Sequence, residues 1–485
     1  MNDNENQAVA QSGDNTTRRL PRSYILKDYT EIQSSGSFTD HEGIEKPVSQ
    51  VEGDIIKFFD EFRKNNHSCI LLNNSSTDEA DQQGVCLHRS WGTKDYTGQY
   101  AGLILDKNTH DVYFLHSRFD PGKNFHFTNY ILSKALQLNS RVFLDMDITR
   151  SCDRAMQLLL AIVFMNQIRV AFKSGIYRCY RNYEQNDSRV RGRIQVERHI
   201  KLNPLFNGNI AYTYREYTAD NDVNRIILTA YEALCKKSGA FMRSLLNSPG
   251  NRSAKDFFAQ IKNITTPASR QEIQHLLRNS KKKIHHSVYR NWEHVRKTAI
   301  QILKHAGIRT QEDGSTNVSG VLIDMPKIWE KYLERVLQEQ GISGFTSQTE
   351  VPILEGKRTL KPDFWNNEER IVLDAKYTNA WSNAFGADTW DDRTGTFQVL
   401  TYMYVLGCNT GGILCPAKGP HNPNTQIIHK ELLGDKKMAV IPLIIPSCES
   451  YEDFVVEIAK SEKIIADCIK ELAITEQHPS DDNRN

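Results

Sequence analysis

Two aspartates and a lysine, Asp363, Asp374 and Lys376, lie close together in the stretch TLKPDFWNNEERIVLDAKY. Carboxylates are the hard oxygen ligands that Mg²⁺ prefers. A lysine beside them can hold or activate the water molecule that attacks a phosphate. These residue types are therefore suited to metal-assisted hydrolysis of a phosphodiester, although a hairpin with such residues on its outer face is more often a solvated surface.

The order of apolar and charged residues predicts that this stretch is a β-hairpin. In the second strand, apolar residues alternate with residues that include Asp374 and Lys376. Because successive side chains of a strand point to opposite faces, both charges lie on the face opposite the apolar one. The first strand places Asp363 on that charged face, together with Lys361 and Trp365. Both strands therefore predict one apolar face and one face that collects the charges.

The turn of this hairpin is predicted at residues 366–369, where the sequence Asn-Asn-Glu-Glu tolerates a tight backbone bend. A hairpin closed there places Trp365 opposite Arg370, and Asp363 opposite Val372. The second aspartate then becomes the diagonal neighbour of the first. Diagonal positions of an antiparallel pair are about 7–8 Å apart at the backbone, so the two carboxylates could share one ion.

The composition of the whole chain limits its compartment and the source of any affinity for nucleic acid. The chain has 485 residues, 39% of them apolar, and a formal net charge of +2. We expect about two to four domains, and contact with nucleic acid only through local basic patches or a partner. Nine cysteines without a CxxC pair are typical of reduced thiols in the cytoplasm. The most apolar run, residues 158–165, is too short to span a bilayer and predicts a buried helix.

Changes in composition and periodicity divide the chain into five predicted regions. The polar residues 1–48 are expected to be a disordered tail, and residues 49–140 a β-rich module, which would dock a partner if the family resemblance given below holds. Residues 141–310 are expected to be mostly helical. Residues 311–475 follow a glycine-rich boundary, and their predicted order is helix, three strands, helix and strand, with a closing helix. Residues 476–485 are expected to be a second disordered tail.

A basic stretch at residues 177–199 is a second candidate site. It is predicted to be a pair of strands in which tyrosines interrupt arginines: Arg178, Arg181, Arg189, Arg191, Arg193 and Arg198 with Tyr177, Tyr180 and Tyr183. Such a stretch can contact the phosphate backbone of a nucleic acid or an acidic partner surface. The alternative is a pair of strands whose arginines are solvated. A further basic cluster, residues 281–286, is expected to be a solvated turn, because its adjacent histidines cannot share a helix face.

The order of several segments resembles one nuclease superfamily. KPDFWNNEERIVLDAKY, with DMPKIWEKYL before it and FQVLTYMYV after it, is similar to the catalytic hairpin and flanking helices of PD-(D/E)xK nucleases. More narrowly, these segments resemble McrC, the nuclease subunit of McrBC-type, 5-methylcytosine-specific restriction systems, as do RGRIQVERHI and TADNDVNRIIL. The resemblance implies an α/β (α+β) fold. Its C-terminal PD-(D/E)xK core, a mixed sheet flanked by helices, would follow a small β-rich module and a helical middle region.

The resemblance also implies a role for each residue of the candidate site. Asp363 and Asp374 would ligate Mg²⁺, and Lys376 would position the attacking water. Glu330, on the helix before the hairpin, would complete the metal site. Glu334 lies one helical turn further along and is a rival for that role.

Two residues of the following helix match a second pattern of the superfamily. Gln398 and Tyr402 are spaced four apart and share a helix face. They match the QxxxY pattern that lies beside the active site in some branches. The alternative is that Tyr402 is a core residue and Gln398 only its neighbour.

The chain has an aspartate, Asp374, where many relatives have glutamate, which shortens the reach of that carboxylate by one carbon.

The sequence contains no GxxxxGK[ST] phosphate-binding loop, so we do not expect the chain to bind NTP by that route. The resemblance implies a partner, a McrB-like AAA+ NTPase ring that uses GTP in the best-known systems and recognises modified cytosine in DNA. The predicted function is an Mg²⁺-dependent endodeoxyribonuclease subunit of an NTP-driven restriction complex, which also stimulates the NTPase. The alternatives are a stand-alone repair nuclease of the same superfamily and a non-cleaving adaptor that activates the NTPase.

Overall fold

The computed structural model describes residues 22–34, 36–40, 43–64, 69–72, 87–89, 95–106, 109–121, 124–139, 152–205, 207–279, 284, 286–306, 318–353, 355–378, 393–418, 428–431 and 436–474. The helices are α1 (Glu52–Lys64), α2 (His126–Ala135), α3 (Cys152–Ala171), α4 (Val196–Leu202), α5 (Asp222–Lys237), α6 (Gly239–Leu246), α7 (Arg252–Ile261), α8 (Arg270–Asn279), α9 (Arg290–His305), α10 (Met325–Glu339), α11 (Arg393–Leu406) and α12 (Tyr451–Ile474). The strands are β1 (Ser23–Lys27), β2 (Gly36–Thr39), β3 (Glu45–Pro47), β4 (Cys69–Leu72), β5 (Leu87–Arg89), β6 (Asp95–Thr97), β7 (Tyr100–Asp106), β8 (Val112–His116), β9 (Cys179–Asp187), β10 (Arg193–Ile194), β11 (Ile210–Thr218), β12 (Val318–Asp324), β13 (Thr346–Ser347), β14 (Val351–Ile353), β15 (Arg358–Leu360), β16 (Phe364–Asn366), β17 (Ile371–Ala375), β18 (Thr410–Lys418), β19 (Ile428–Glu431) and β20 (Lys437–Ile445).

The first sheet gathers strands from the N-terminal part of the chain and one from much later. Its order is β3-β2-β1-β8-β7-β12-β4, in which β1 is parallel to β8 and β12 is parallel to β4. Alternate residues of its strands face two different cores, as the two-residue period of a strand requires. On one face, Ile55 and Phe59 of α1 pack against the sheet. The other face, with Leu103 and Phe114, belongs to a larger core that reaches the rest of the molecule.

The expectation of a disordered tail is wrong for the described residues between 22 and 48. Strands β1 and β2 form an antiparallel pair at the side of the first sheet, and β1 also pairs with β8. Few residues of this segment are apolar, but Tyr24, Leu26 and Phe38 are spaced so that all three are buried. Tyr24 also stacks on Tyr113, with ring centroids 4.6 Å apart. The segment is polar on average, and this average concealed core residues that are correctly spaced for a strand. Residues 1–21 lie outside the described part.

The strand β12 corrects the predicted start of the last region at residue 311. It lies in the first sheet, where it pairs with both β4 and β7. Its residues Val321 and Leu322 are buried on opposite faces of that sheet. The chain therefore leaves the first sheet at Asp324, and α10 begins at the next residue. The glycine-rich stretch predicted as the boundary falls mostly on residues 307–317, outside the described part.

Most of the described residues between 152 and 306 are helical, and helix α3 lies in the larger core. The residues 158–165 of α3 are all buried, which confirms the predicted buried helix. By length and composition, Arg154–Ser174 could also cross a membrane, but 78% of its most apolar window is buried inside the protein. A three-stranded sheet of order β10-β11-β9 projects from these helices. The predicted strand pair within residues 177–199 is therefore corrected: β9 pairs with β11, which follows α4 and offers a nine-residue partner where β10 offers two residues.

The second sheet carries the predicted nuclease core and confirms the predicted α/β fold class with a mixed sheet. Its order is β13-β16-β17-β18-β20-β19, with β17, β18 and β20 parallel to one another. Helix α11 covers one face, where Val399 packs with Val372. Helices α10 and α12 cover the other face, which belongs to the same core as the first sheet. At the start of α10, the side chain of Asp324 accepts a hydrogen bond from the backbone N–H of Lys327 and caps the helix.

The hairpin of β16 and β17 has a different register from the predicted one. Trp365 pairs with Val372 and not with Arg370. The side chain of Asn366 accepts hydrogen bonds of 3.1 Å from the backbone N–H groups of both turn glutamates, as in an Asx turn. Asn366 therefore stays in the strand, and the turn comprises residues 367–370. The left-handed backbone of Arg370, with φ of 51°, completes that turn.

The first strand of the predicted hairpin is interrupted before it reaches the turn. Arg358–Leu360 pairs with Val351–Ile353, and only Phe364–Asn366 pairs with β17. Pro362 lies in the interruption and has no N–H group to donate to a ladder. The break leaves Asp363 at the entry to β16, and continuing the observed register places it opposite Asp374 rather than diagonal to it.

Gly102 provides a test of the packing between β7 and β12. Its φ of 141° disfavours other residues, and an added Cβ would collide with the backbone carbonyl oxygen of Val321. We expect Gly102→Ala to lower the melting temperature by about 4–8 °C. Gly53 in α1 has open space around its Cβ position, so Gly53→Ala should raise the melting temperature by about 1–3 °C. Calorimetry of both variants measures the difference, and equal melting temperatures would contradict the described packing.

Candidate active site

All six predicted site residues lie around one end of β17. Asp374 is in the strand and Lys376 follows it, while Asp363 is at the entry to the neighbouring strand β16. Glu330 comes from α10, on one side of the second sheet. Gln398 and Tyr402 come from α11, which covers the other side. The site therefore depends on the packing of two helices against one hairpin.

The carboxylate of Asp363 receives hydrogen bonds from two directions. Its Oδ2 atom accepts from the backbone N–H of Ala375, at 2.8 Å. Its Oδ1 atom accepts from the side-chain amide of Gln348, also at 2.8 Å. The first of these bonds is made across the hairpin, between the entry of β16 and the end of β17. It therefore orients Asp363 toward the strand that carries the other predicted ligand.

Gln348 is a site residue that the sequence analysis missed. Its Nε2 atom donates to Asp363 and also lies 3.2 Å from Oε2 of Glu330, so that one amide connects two carboxylates. Its backbone N–H donates to the carbonyl oxygen of Asp363, at 3.2 Å, and its φ of 53° is left-handed. Such a backbone is uncommon for a residue other than glycine and is frequent at functional sites. No spacing motif marks Gln348, because its contacts arise only when β13 pairs with β16.

The structure distinguishes the two rival glutamates of α10. Glu334 accepts a 3.0 Å hydrogen bond from the hydroxyl of Ser347 and is thereby directed at the edge of the sheet. Glu330 instead shares the amide of Gln348 with Asp363. Of the two, Glu330 is therefore the one that the fold brings to the clustered carboxylates. Its role as a metal ligand stays a prediction.

A chain of polar contacts connects the lysine to α11. Nζ of Lys376 lies 2.8 Å from Oδ2 of Asp374, whose residue is only 1% exposed. The same ammonium donates to Oε1 of Gln398, at 2.7 Å. The amide of Gln398 in turn donates to the hydroxyl of Tyr402, at 2.7 Å, and that hydroxyl donates to the carbonyl oxygen of Lys361. Tyr402 is thus a buried core residue and also a member of this polar chain. Its position fits both the core alternative and the location beside the candidate site.

Burial and mutual repulsion shift the protonation of the carboxylates. Burial, followed by the negative charges of Asp374 and Glu330, raises the pKa of Asp363 to about 8. Burial, followed by the charges of Asp324 and Asp374, raises the pKa of Glu330 to about 7. For Lys376, burial opposes the charged form, but Asp374 and Asp363 outweigh it and raise the pKa of the ammonium. The site therefore holds more negative charge than Lys376 alone neutralises.

The donor set of this site fits a hard divalent cation in charge and in chemistry. Asp363, Asp374 and Glu330 are oxygen ligands, and a cation among them would relieve the repulsion that raises two of their pKa values. In the described part of the chain, no three His, Cys, Asp or Glu side chains are grouped closely enough to hold one metal ion. The three carboxylates therefore do not form a complete coordination shell in this structure. The amide of Gln348 lies between two of the carboxylates, and it would have to move for an ion to enter.

The predicted basic surface is formed by β9, β10, β11 and α4. Arg181 pairs with Asp220 at 3.2 Å, and Arg198 pairs with Glu184 at 3.5 Å. The arginines near β10 are exposed: Arg189, Arg191 and Arg193. Apolar side chains are exposed beside them, and they include Ile194, Val196, Ile200 and Leu205. Part of the basic stretch thus forms internal ion pairs, and a role in contact with phosphates or a partner stays a prediction. Of residues 281–286, only Ile284 and His286 lie in the described part.

Comparison with known proteins identifies one family. A family model described as "McrBC 5-methylcytosine restriction system component" matches residues 96–415, which include α10, the hairpin and α11. Among curated proteins, none matches the chain.

Two solved structures from Thermococcus gammatolerans are similar to the chain in outline. The first is described as a refined half-complex from a tetradecameric assembly of McrB AAA+ hexamers with bound McrC. It shares 14% identity and covers 93% of this chain and 100% of its own, with a TM-score of 0.45. The second is described as the cryo-EM structure of the McrBC complex. It shares 13% identity and covers 67% of this chain and 89% of its own, with a TM-score of 0.28.

Repulsion among the carboxylates should make stability depend on pH. The folded-state pKa of Asp363 is raised, so the folded protein binds more protons than the unfolded chain between about pH 4 and 8, and stability falls as the pH rises through this window. Asp363→Asn removes this cost. In EDTA, we expect its melting temperature to exceed that of the wild type only slightly near pH 5 and by about 2–4 °C near pH 9.

The matched control for this measurement is Glu334→Gln, which changes a carboxylate one turn from Glu330 that accepts a hydrogen bond from Ser347. A pH-dependent difference that this variant shares with Asp363→Asn would not be caused by the clustered carboxylates. A melting difference for Asp363→Asn that stays constant with pH would show that the carboxylates do not repel one another.

Proposed function

Because the chain belongs to the family of McrBC 5-methylcytosine restriction system components, we propose that it is the Mg²⁺-dependent endodeoxyribonuclease subunit of such a system. One observation carries the proposal: two aspartates, a glutamate and a lysine from three separate elements meet at the end of β17. This arrangement agrees with the resemblance of the hairpin to the catalytic hairpin of PD-(D/E)xK nucleases.

The carboxylates of Asp363, Asp374 and Glu330 would hold Mg²⁺. When bound, the ion supplies positive charge that polarises a phosphoryl oxygen and favours ionisation of water. The chain's own part is to keep these carboxylates oriented. The backbone N–H of Ala375 orients Asp363, and Lys376 holds Asp374. The amide of Gln348 contacts both Asp363 and Glu330 and would have to give way to a bound ion.

Lys376 would act by donating hydrogen bonds. Its carboxylate neighbours raise its pKa, so the side chain remains protonated at neutral pH and is not a base. Gln398 accepts one of its hydrogens and thereby fixes the direction of the ammonium. The remaining hydrogens can hold the attacking water or a phosphate oxygen of the substrate, where the positive charge stabilises the negative charge that develops during phosphodiester cleavage.

The proposal includes a partner. McrC is bound to McrB AAA+ hexamers in one of the solved structures from Thermococcus gammatolerans. From its family membership, we propose that this chain likewise works with an AAA+ NTPase ring, which would hydrolyse GTP and recognise modified cytosine. The sequence has no phosphate-binding loop of its own, and its net charge of +2 gives little general attraction to DNA. The first sheet and the helical middle region would dock the ring, and the complex would act in the cytoplasm.

Cleavage by a reconstituted complex tests the assignment of the site. The full chain is combined with its proposed AAA+ partner, GTP, Mg²⁺ and cytosine-methylated DNA. We expect Asp374→Ala and Lys376→Ala to lower the rate of cleavage by at least about 100-fold, because each removes charge that the reaction requires. NTP hydrolysis should remain within about twofold. EDTA should abolish cleavage, and excess Mg²⁺ should restore it.

The same assay separates the alternatives. Full cleavage by either alanine variant would overturn the site assignment. Cleavage without NTP or partner would favour a stand-alone repair nuclease. A wild-type complex that hydrolyses NTP but never cuts DNA, methylated or not, would favour the non-cleaving adaptor.

Helix α10 offers a matched pair of glutamates that tests the third ligand. Glu330→Gln should lower Mn²⁺ affinity and cleavage by at least about tenfold, because it removes one charged ligand from the cluster. Glu334→Gln, one turn away, should leave both within about twofold, because that carboxylate accepts its hydrogen bond from Ser347. Calorimetric titration with Mn²⁺ measures affinity independently of cleavage. The reverse order of the two variants would assign the ligand role to Glu334.

A further inference from the structure

A buried arginine connects the first sheet to the end of the candidate active site. Arg118 lies just after β8, in the first sheet's part of the chain. Its Nη2 atom donates a 2.5 Å hydrogen bond to the backbone carbonyl oxygen of Tyr377. Tyr377 directly follows Lys376, so this contact reaches the residue next to the candidate catalytic lysine.

The guanidinium group of Arg118 is enclosed by aromatic rings. Its central carbon lies 5.2 Å from the ring centroid of Tyr29, 5.1 Å from that of Phe119 and 4.8 Å from that of Tyr377. These distances are within the range of cation–π attraction. The backbone N–H of Arg118 donates to Oδ1 of Asp28, at 2.7 Å, and Nη1 lies 4.0 Å from the same oxygen. The side chains of Arg118 and Asp28 are 8% and 0% exposed.

Tyr377 is held at both of its ends. Its carbonyl oxygen accepts from Arg118, and its hydroxyl is 2.5 Å from the hydroxyl oxygen of Ser117. On the other side, the backbone N–H of Lys376 donates to the carbonyl oxygen of Leu414 in β18, at 2.9 Å. The backbone of Lys376 therefore lies between an anchor in the second sheet and an anchor beside the first.

We infer that Arg118 is a positioning residue for the candidate nuclease site: it fixes the backbone at Tyr377 and thereby aims Lys376 at Asp374 and Gln398. This inference rests on the proposed function for its effect on cleavage, but the anchoring itself does not. It makes the geometry of the active site depend on the first sheet, which lies outside the nuclease core.

The energetics of the contact favour this role over one in stability alone. Nε and Nη1 of Arg118 are buried without a hydrogen-bond partner in the described part of the chain. Burying such groups unsatisfied costs free energy, which offsets part of the stabilisation that Arg118 gains from Asp28 and the aromatic rings. Besides its contacts with Asp28 and the rings, the arginine provides one directed hydrogen bond to the carbonyl group of Tyr377. Catalytic groups must be held within about 0.5 Å of their productive positions, so a directed bond next to Lys376 is useful there.

Arg296 provides a matched control, because it is also a buried arginine and lies in α9. It pairs with Glu293 of the same helix through hydrogen bonds of 2.6 and 2.9 Å. Lysine keeps the charge of arginine but cannot reproduce its planar, forked donor geometry. Arg118→Lys and Arg296→Lys therefore remove comparable contacts at two places, and only the first adjoins the candidate site. Arg118→Met additionally removes the charge.

Hydrogen exchange measured by mass spectrometry on the full chain tests the anchoring without any need for activity. We expect Arg118→Lys and Arg118→Met to accelerate exchange in the peptide that spans residues 371–378 by about tenfold or more, because the end of β17 loses one anchor. Arg296→Lys should accelerate exchange in α9 and leave that peptide unchanged. If the Arg118 variants fold and the peptide exchanges as in the wild type, Arg118 does not anchor Lys376 and the inference is overturned.

Cleavage by the reconstituted complex tests the consequence. Per folded molecule, we expect both Arg118 variants to lower kcat by about 10–100-fold, because Lys376 is misplaced. KM should be nearly unchanged, because DNA binding is not affected. Arg296→Lys should keep the wild-type kcat. Faster exchange with an unchanged kcat would overturn the positioning role. A wild-type complex that never cuts DNA would instead overturn the proposed function, and the exchange experiment would still decide whether Arg118 anchors the strand.

Discussion

Repulsion between carboxylates in a half-buried space is the constraint on which the site depends. Asp363, Asp374 and Glu330 lie close enough to disfavour one another's charged forms, and only one ammonium, that of Lys376, lies among them. Such an arrangement opposes folding, so the surrounding structure must hold it in place. The packing of the second sheet supplies that force. Val372 on one face and Leu373 on the other are fully buried, so β17 cannot rotate to release Asp374 into solvent.

The polar contacts around the carboxylates have a consistent logic. Each carboxylate receives a donor from a side chain: the amide of Gln348 for Glu330 and Asp363, and the ammonium of Lys376 for Asp374. The donors that need not move are the structural ones, such as the backbone N–H of Ala375. Fixed backbone donors thus orient the carboxylates, whereas movable side chains neutralise their charge. A buried charge cluster can persist in this way without a bound ion.

Sequence patterns grouped residues that lie together around the end of β17, but they did not predict the geometry that joins them. Alternation in β17 correctly placed Asp374 away from the buried Leu373, and the helical spacing of Gln398 and Tyr402 correctly placed them on one face. The hairpin register was wrong because it depends on an Asx turn at Asn366. Composition alone cannot distinguish that turn from its neighbour one residue earlier.

Other features were beyond the reach of local patterns for a related reason. Gln348 enters the site through the pairing of β13 with β16, and Arg118 reaches Tyr377 across more than half the chain. Neither contact has a characteristic spacing, because both are created by tertiary packing. The strands β1 and β2 were missed because polar neighbours dilute Tyr24, Leu26 and Phe38 in any average over the segment. Local periodicity therefore found elements and faces, and it failed where distant segments meet.

Helix α10 shows why the two sheets should be considered one mechanical unit. It begins directly where β12 leaves the first sheet, and its cap Asp324 is the last residue of that strand. The charge of Asp324 also helps to raise the pKa of Glu330, which places an electrostatic effect of the first sheet inside the site. Further along the helix, the indole N–H of Trp329 donates to the carbonyl oxygen of Leu414, the same group that accepts from the backbone of Lys376. The first sheet therefore reaches the candidate site by two independent routes, through α10 to Glu330 and through Arg118 to Lys376. A displacement of that sheet relative to the second sheet would move both Glu330 and Lys376 at once.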